Sequence, residues 1–296
     1  MGLRVIFDRS SFHGERFVAL AESPLRRLAR TNRISVFHTP VFIEETVATS
    51  ASKKPEAKSW QQHLKFLVEI CNGGIFLGKE EIWFDELIAG RGRYARYLMP
   101  KRKSRRYNSE ARLLETLAEK AESGDMSEEL EGTKKEREVT ERKKDNQRAI
   151  AADMRKIVIN AIKAKQVKGA LGEYPFSHMR DSEFLRMGTA MMGVVDERRS
   201  GALAATWARD PMRYPFYSSF IEGVLYAGYY AATKHNEPLD RNAQNDYEQL
   251  AYLNWADVVV SNDETFFRQA FEDIWLPRGK RIETAETFVQ LLHRLA

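Results

Sequence analysis

The run Val258-Val259-Val260, followed at once by Ser261-Asn262-Asp263, constrains the fold of this chain more than any other stretch. An apolar β-branched run suits a strand covered on both faces, the usual state of a parallel sheet. Just before it, Tyr247, Leu250 and Leu253 recur at helical spacing and predict a helix with one face toward a core. In an open α/β sheet, residues just past the carboxyl end of a strand line the crevice where ligands bind. Asp263 is therefore placed like a site residue, and Asp246 opens the helix that leads into the strand.

A similar phrase opens the chain. Leu3-Arg4-Val5-Ile6-Phe7 is strand-like and Asp8-Arg9-Ser10-Ser11 follows directly. Two strands thus end in an aspartate with a hydroxyl nearby. As parallel neighbours they would bring those carboxylates to one edge of the sheet. Converging carboxylates repel each other, and burial sharpens the repulsion unless protons or a cation compensate. Oxygen ligands favour Mg²⁺ or Mn²⁺ over zinc. The simpler alternative is that each aspartate only caps a helix or forms a turn.

A length of 296 residues allows one large domain or two ordinary ones. A charged fraction of 30% demands a large solvated surface, and a net charge of +5 mildly favours a polyanionic partner. The single cysteine, Cys71, rules out an internal disulfide and a thiolate zinc cluster, which suits a reducing cytoplasm. No apolar run reaches spanning length, and Asp8, Arg9 and His13 interrupt any secretory pattern. The expectation is a soluble cytoplasmic protein with no membrane partner.

Between the two ends, apolar spacing predicts a helix over 12–30, a strand over 34–38 and a helix after Thr39-Pro40 that carries Glu44 and Glu45. These adjacent glutamates lie about 100° apart on a helix, so one faces the crevice and the other faces solvent. Further helices are expected over 60–71, 107–122, 184–195 and 220–233, with another strand over 75–77. A long, charged helix is expected over 131–165, and its first half has almost no apolar residues. Residues 91–106 hold Arg91, Arg93, Arg96, Lys101, Arg102, Lys103, Arg105 and Arg106, interleaved with Tyr94 and Tyr97 and free of acids. Cations follow phosphates and aromatic rings stack on unpaired bases, so this segment is a candidate nucleic-acid contact. A solvated loop, or a surface for an acidic protein, is the alternative.

The two end phrases resemble the PIN-like nucleases, relatives of the flap endonuclease and toxin ribonuclease folds. That family has Asp after its first strand, Glu in an early helix, Asp in a late helix and Ser/Thr-x-Asp after the strand behind it. Here those positions fall on Asp8, Glu45, Asp246 and Asp263, with Ser261 as the hydroxyl; Glu44, Asp240 and Glu248 are alternative acids. Arg9 departs from the pattern, which often has a small hydroxyl residue there. The resemblance covers about 1–50 and 235–296, and it implies an α/β/α sandwich with a central, mainly parallel sheet. Residues 51–234 would then be a mostly helical insertion, partly packed on the core. It also implies phosphodiester hydrolysis with Mg²⁺ or Mn²⁺, held by Asp8, Glu45, Asp246 and Asp263, on RNA ahead of DNA. A homodimer or a cognate protein partner fits the same family. A PIN-like scaffold without chemistry, binding RNA or protein, is the competing expectation. A haloacid dehalogenase-type phosphohydrolase is disfavoured, because Ser10 stands where that chemistry wants a second aspartate.

Overall fold

The apolar runs at the two ends of the chain do pair side by side. A computed structural model describes residues 2–50, 60–99, 113–123, 175–233 and 243–296, with short pieces at 127–128, 131–132, 156 and 159–160. Strand β1 (Leu3–Phe7) lies between β2 (Ile34–His38) and a strand at Val258–Val260 that is the fourth in chain order, β4. Strands β3 (Gly74–Ile75) and β5 (Arg281–Glu283) complete the order β3-β2-β1-β4-β5, with every pair parallel. The order reverses between β1 and β4, which makes the gap past their carboxyl ends a topological switch point.

Register is fixed at both ends of that central pair. At the amino end, Arg4 meets Asp257 through its backbone N–H and through its guanidinium at 2.6 Å. At the carboxyl end, the Asp8 N–H donates to the Val260 carbonyl at 2.9 Å, and the Ser261 N–H donates to Glu283 at 2.9 Å. A slip of one residue would turn every side chain to the opposite face, so these contacts determine that Asp8 and Ser261 end up level.

Alternation along the strands divides the interior into two cores. Val5, Phe7, Val258 and Val260 face helices α1 (Glu15–Glu22), α2 (Leu25–Arg30), α3 (Pro40–Ser50), α4 (Trp60–Ile70), α6 (Leu113–Ser123) and α12 (Ala285–Leu295). Ile6 and Val259 face α5 (Lys79–Trp83), α7 (Phe176–Val195), α8 (Ser200–Arg209), α9 (Pro215–Thr233), α10 (Ala243–Ala251) and α11 (Phe266–Ile274). The protein is thus an α/β sandwich with a large helical insertion between β3 and β4. Within 51–234, α4 and β3 join the sheet layers directly, and α7 to α9 cover one of its faces. Among the described residues, no helix is long and apolar enough to cross a membrane.

Local differences from the sequence expectations have local causes. The helix expected over 12–30 breaks at Ser23, which is extended (φ −68°, ψ 168°) because Pro24 excludes a helical residue before it. The third strand stops at Ile75, since Phe76 turns to bridge Leu98 instead. The methionine-rich helix begins at Phe176, not 184. Most of the charged stretch 131–165 lies outside the described residues. At Gly223 a Cβ would stand 2.5 Å from the Tyr247 Cβ, so glycine allows α9 to pack directly on α10. That contact matters because α10 carries part of the site.

One buried group makes the fold sensitive to acid. His63, 1% exposed, lies against Phe17 at 4.1 Å between ring centroids, and among the described residues neither of its ring nitrogens has a hydrogen-bond partner. Burial, with Arg9 and His13 adding repulsion, pushes its pKa down to about 3. The unfolded chain therefore takes up this proton from about pH 6.5 downward while the folded one does not, and stability falls over that range. His63→Leu is expected to be more stable than the wild type, by a margin that grows as pH falls from 6.5 to 4. Urea unfolding at several pH values reads this directly; a constant margin would contradict it.

Candidate active site

Asp8 ends β1 and starts a short 3-10 turn over Arg9–Phe12, accepting the Ser10 N–H at 3.1 Å. The capping role allowed by the sequence is therefore real. The surroundings go beyond a cap. Asp8 is only 7% exposed, and its Oδ2 also accepts the hydroxyls of Ser10 and, at 2.9 Å, of Ser261. Ser10 Oγ in turn accepts the Asn262 N–H at 2.8 Å and lies 3.2 Å from Ser261 Oγ. Ser261 Oγ accepts the Asp263 N–H at 3.1 Å. Two hydroxyls thus knit the ends of β1 and β4 together around one carboxylate oxygen. Among the described residues nothing donates to the other oxygen, Oδ1.

Burial raises the Asp8 pKa; the bonds from Ser10 and Ser261 pull against this, and the nearby Asp263 adds to it. Glu45 is pushed up to about 7, first by burial and then by Asp8, with the Asn245 amide drawing it back. Glu45 is half-buried and Glu44 is exposed, so Glu45 is the one turned toward the crevice. Asn245 Nδ2 donates to Glu45 Oε1 at 3.1 Å. One turn further along α10, Gln249 donates to the carbonyl of Phe7 at 2.7 Å. This i, i+4 pair clamps the helix to the end of β1 and to α3 together.

The remaining acids fare differently. Asp263 is half-buried, and its Oδ1 accepts the N–H and hydroxyl of Thr265 at 2.7 and 2.9 Å, ahead of α11. Asp246 is half-buried on α10, three residues before Gln249. Glu248 is turned away and pairs with Lys79 at 2.6 Å. Asp240 lies outside the described residues. Asn262 spends its side chain on the start of α12, accepting the Ala285 N–H and donating to Glu286. The loop that carries Ser261 and Asp263 is held in place by it.

The basic segment is only partly open. Arg91 and Arg96 both pair with the buried Asp85, at 2.9 and 3.1 Å. Tyr97 is half-buried and stacked on Trp255 at 4.4 Å, which takes up one face of its ring. Arg93 lies over the exposed ring of Tyr94. Lys101, Arg102, Lys103, Arg105 and Arg106 lie outside the described residues.

Sequence reasoning missed Ser10, Asn245 and Gln249 as parts of this arrangement. Ser10 was visible as a hydroxyl two residues past Asp8. Asn245 and Gln249 were visible as amides at i, i+4 on a helix otherwise read for its apolar face. Removing Ser10 Oγ takes away a donor to Asp8 and the acceptor for Asn262. If the site holds a metal, Ser10→Ala should lower activity about 10- to 100-fold, as loss of such an outer partner usually does. The unfolding temperature should fall by only a few degrees, the loss of about one net hydrogen bond, and Ser10→Thr should recover most of the rate.

A fold of this kind, with carboxylates gathered at its switch point, defines an α/β protein with a candidate acidic site. Compared with protein-family models, with curated proteins and with solved structures, the chain matches none. The site must therefore be judged on its own geometry. Among the described residues no group of three or more His, Cys, Asp or Glu side chains could hold a metal ion. Asp8 with Glu45 or Asp263 is instead a two-carboxylate set, with Asp8 Oδ1 open. Mg²⁺ is commonly bound in that way, through one or two carboxylates with water and substrate phosphate oxygens completing the shell. In that sense the donors fit Mg²⁺ or Mn²⁺ and do not fit zinc.

Proposed function

We propose that this chain is a divalent-metal-dependent nuclease of the PIN-like kind, acting on RNA ahead of DNA. The observation that carries this reading is the meeting of Asp8, Glu45, Ser261 and Asp263 at the β1/β4 switch point, where Asp263 raises the proton affinity of Asp8 and Asp8 raises that of Glu45. Such repulsion is a standing cost that a cation removes. Asp8 would be the central ligand through Oδ1, with Glu45 or Asp263 beside it and Asp246 acting through water. A bound Mg²⁺ or Mn²⁺ supplies an acidified water and takes up charge on the phosphate.

The rest of the work falls to the protein. Ser10 and Ser261 hold Asp8 Oδ2 so that Oδ1 faces outward. Asn245 orients Glu45, and Gln249 fixes the end of β1. Arg93, beside the exposed Tyr94, offers the described part of the basic segment to a phosphate backbone. With its single free cysteine, the protein suits the cytoplasm.

A PIN-like scaffold without chemistry is the second reading. The lack of a three-acid group among the described residues favours it. A cleavage panel separates the two, using labelled single-stranded RNA and DNA with Mg²⁺, Mn²⁺ or chelator. The nuclease reading expects cleavage with either metal, RNA ahead of DNA, and none with chelator. Binding without cleavage under every condition would leave the scaffold.

A further inference from the structure

We propose that a second cleft, at the opposite edge of the sheet, binds a small neutral molecule carrying an N–H beside a carbonyl on an apolar body. The edge of a guanine or uracil base has this form. The cleft encloses about 480 Å³, within the usual range for small-molecule sites. Its lining comes from α7, α9 and the turns that lead into β4 and β5, so it opens where those strands begin. Asp8 and Ser261 lie where the strands end. The proposal does not rest on the nuclease reading.

Glu222 decides the chemistry. It is only 6% exposed, and its Oε2 accepts from Arg278. Its Oε1 lies 3.9 Å from Arg180 Nη1, too far for a hydrogen bond, and nothing else among the described residues donates to it. Glu222 Oε1 is thus a carboxylate acceptor open to the cleft and not taken by a donor among the described residues, which a ligand N–H can use. Asn254 presents a second acceptor. Its amide nitrogen is used on Pro215, Ser219 and Ala251 at 3.1, 3.0 and 2.8 Å, which leaves Oδ1.

The charges of the cleft balance. Arg180 and Arg278 offset Glu222 and Asp181, so neither a cation nor an anion meets a net opposite charge. A neutral ligand that donates an N–H to Glu222 Oε1 or Asn254 Oδ1 and accepts from Arg180 satisfies both sides of the gap. Leu185 and Met212, 48% and 76% exposed, supply uncovered apolar walls for its body. Guanine and uracil present an N–H next to a carbonyl, whereas adenine and cytosine do not.

Calorimetric titration of the full chain with guanosine, uridine, adenosine and cytidine tests this. Saturable binding of guanosine or uridine is expected, at least about tenfold tighter than adenosine and cytidine. Arg180→Met and Leu185→Asp change a half-buried and an exposed position on the cleft wall and should keep close to the wild-type unfolding temperature. Each should weaken that binding about tenfold, the loss of roughly one well-placed contact. Asp8→Asn should bind as the wild type does. No saturation by any nucleoside at millimolar concentration, equal binding of all four, or unchanged binding in both folded cleft variants would overturn the proposal.

Discussion

Asp8→Asn is expected to abolish metal-dependent cleavage and at the same time to make the protein harder to unfold. The two effects share one origin. Asp8 is nearly buried, its charge is disfavoured by burial and by Asp263, and among the described residues two hydroxyls and one N–H offset this. Asparagine keeps the shape and the bonds to Ser10 and Ser261, whose hydroxyls can reorient, and it drops the charge. Its stability gain should be greatest at neutral pH and vanish in acid, because a raised carboxyl pKa costs stability only where the folded group must ionise. On the activity side, metal-assisted chemistry is worth several kcal/mol, so loss of its central ligand should cost about three orders of magnitude or more in rate. A stabilised, inactive variant is the signature of a functional carboxylate. A destabilised variant would mean that Asp8 serves the fold alone.

Glu86→Ala is expected to give the largest loss of stability. Glu86 is fully buried and reaches from the turn after α5 to the first turn of α9, where it accepts the N–H groups of Phe216 and Tyr217 at 2.9 and 3.0 Å. It supplies from another element the cap that this helix lacks in its own sequence, and a carboxylate there also meets the positive end of the helix. Alanine leaves two N–H groups buried without partners, at about 1–3 kcal/mol each. The expected loss is on the order of 4 kcal/mol, or some 8 °C in unfolding temperature.

The penalty should also depend on pH in a defined direction. Burial, opposed by the two N–H bonds, pushes the Glu86 pKa up to about 7. A raised carboxyl contributes stability that is complete below its unfolded value near 4.5 and is lost as pH rises through 7. The gap between wild type and Glu86→Ala should therefore be wider at pH 5 than at pH 8. Urea unfolding of both proteins at the two pH values measures it, and a gap that widens toward pH 8 would contradict the assignment.

The sheet was legible because β-branched runs and strand-end aspartates are local signals. Val258-Val259-Val260 and Leu3–Phe7 announced their strands, and the acids after them marked the edge where they meet. The partners that shape the site were less legible, because their roles exist only across the sheet. Ser10 looks like a turn residue until Asn262 and Ser261 come beside it. Glu248 reads as a spare ligand until Lys79, about 170 positions away, claims it. Asp85 likewise draws Arg91 and Arg96 out of what reads as an open basic strip. Nor did any periodicity show that Glu86 would cap a helix that begins at Pro215. Long-range polar pairing leaves no pattern in sequence, whereas apolar spacing does.

The central claim is that Asp8, with Glu45 or Asp263, forms a place for one divalent cation. Titrating the purified protein with Mn²⁺ and following free Mn²⁺ by electron paramagnetic resonance tests it most directly. Saturable uptake by the wild type, lost in Asp8→Asn and kept in Glu248→Gln, is the result this account requires. No uptake by the wild type, or equal uptake by Asp8→Asn, would contradict it.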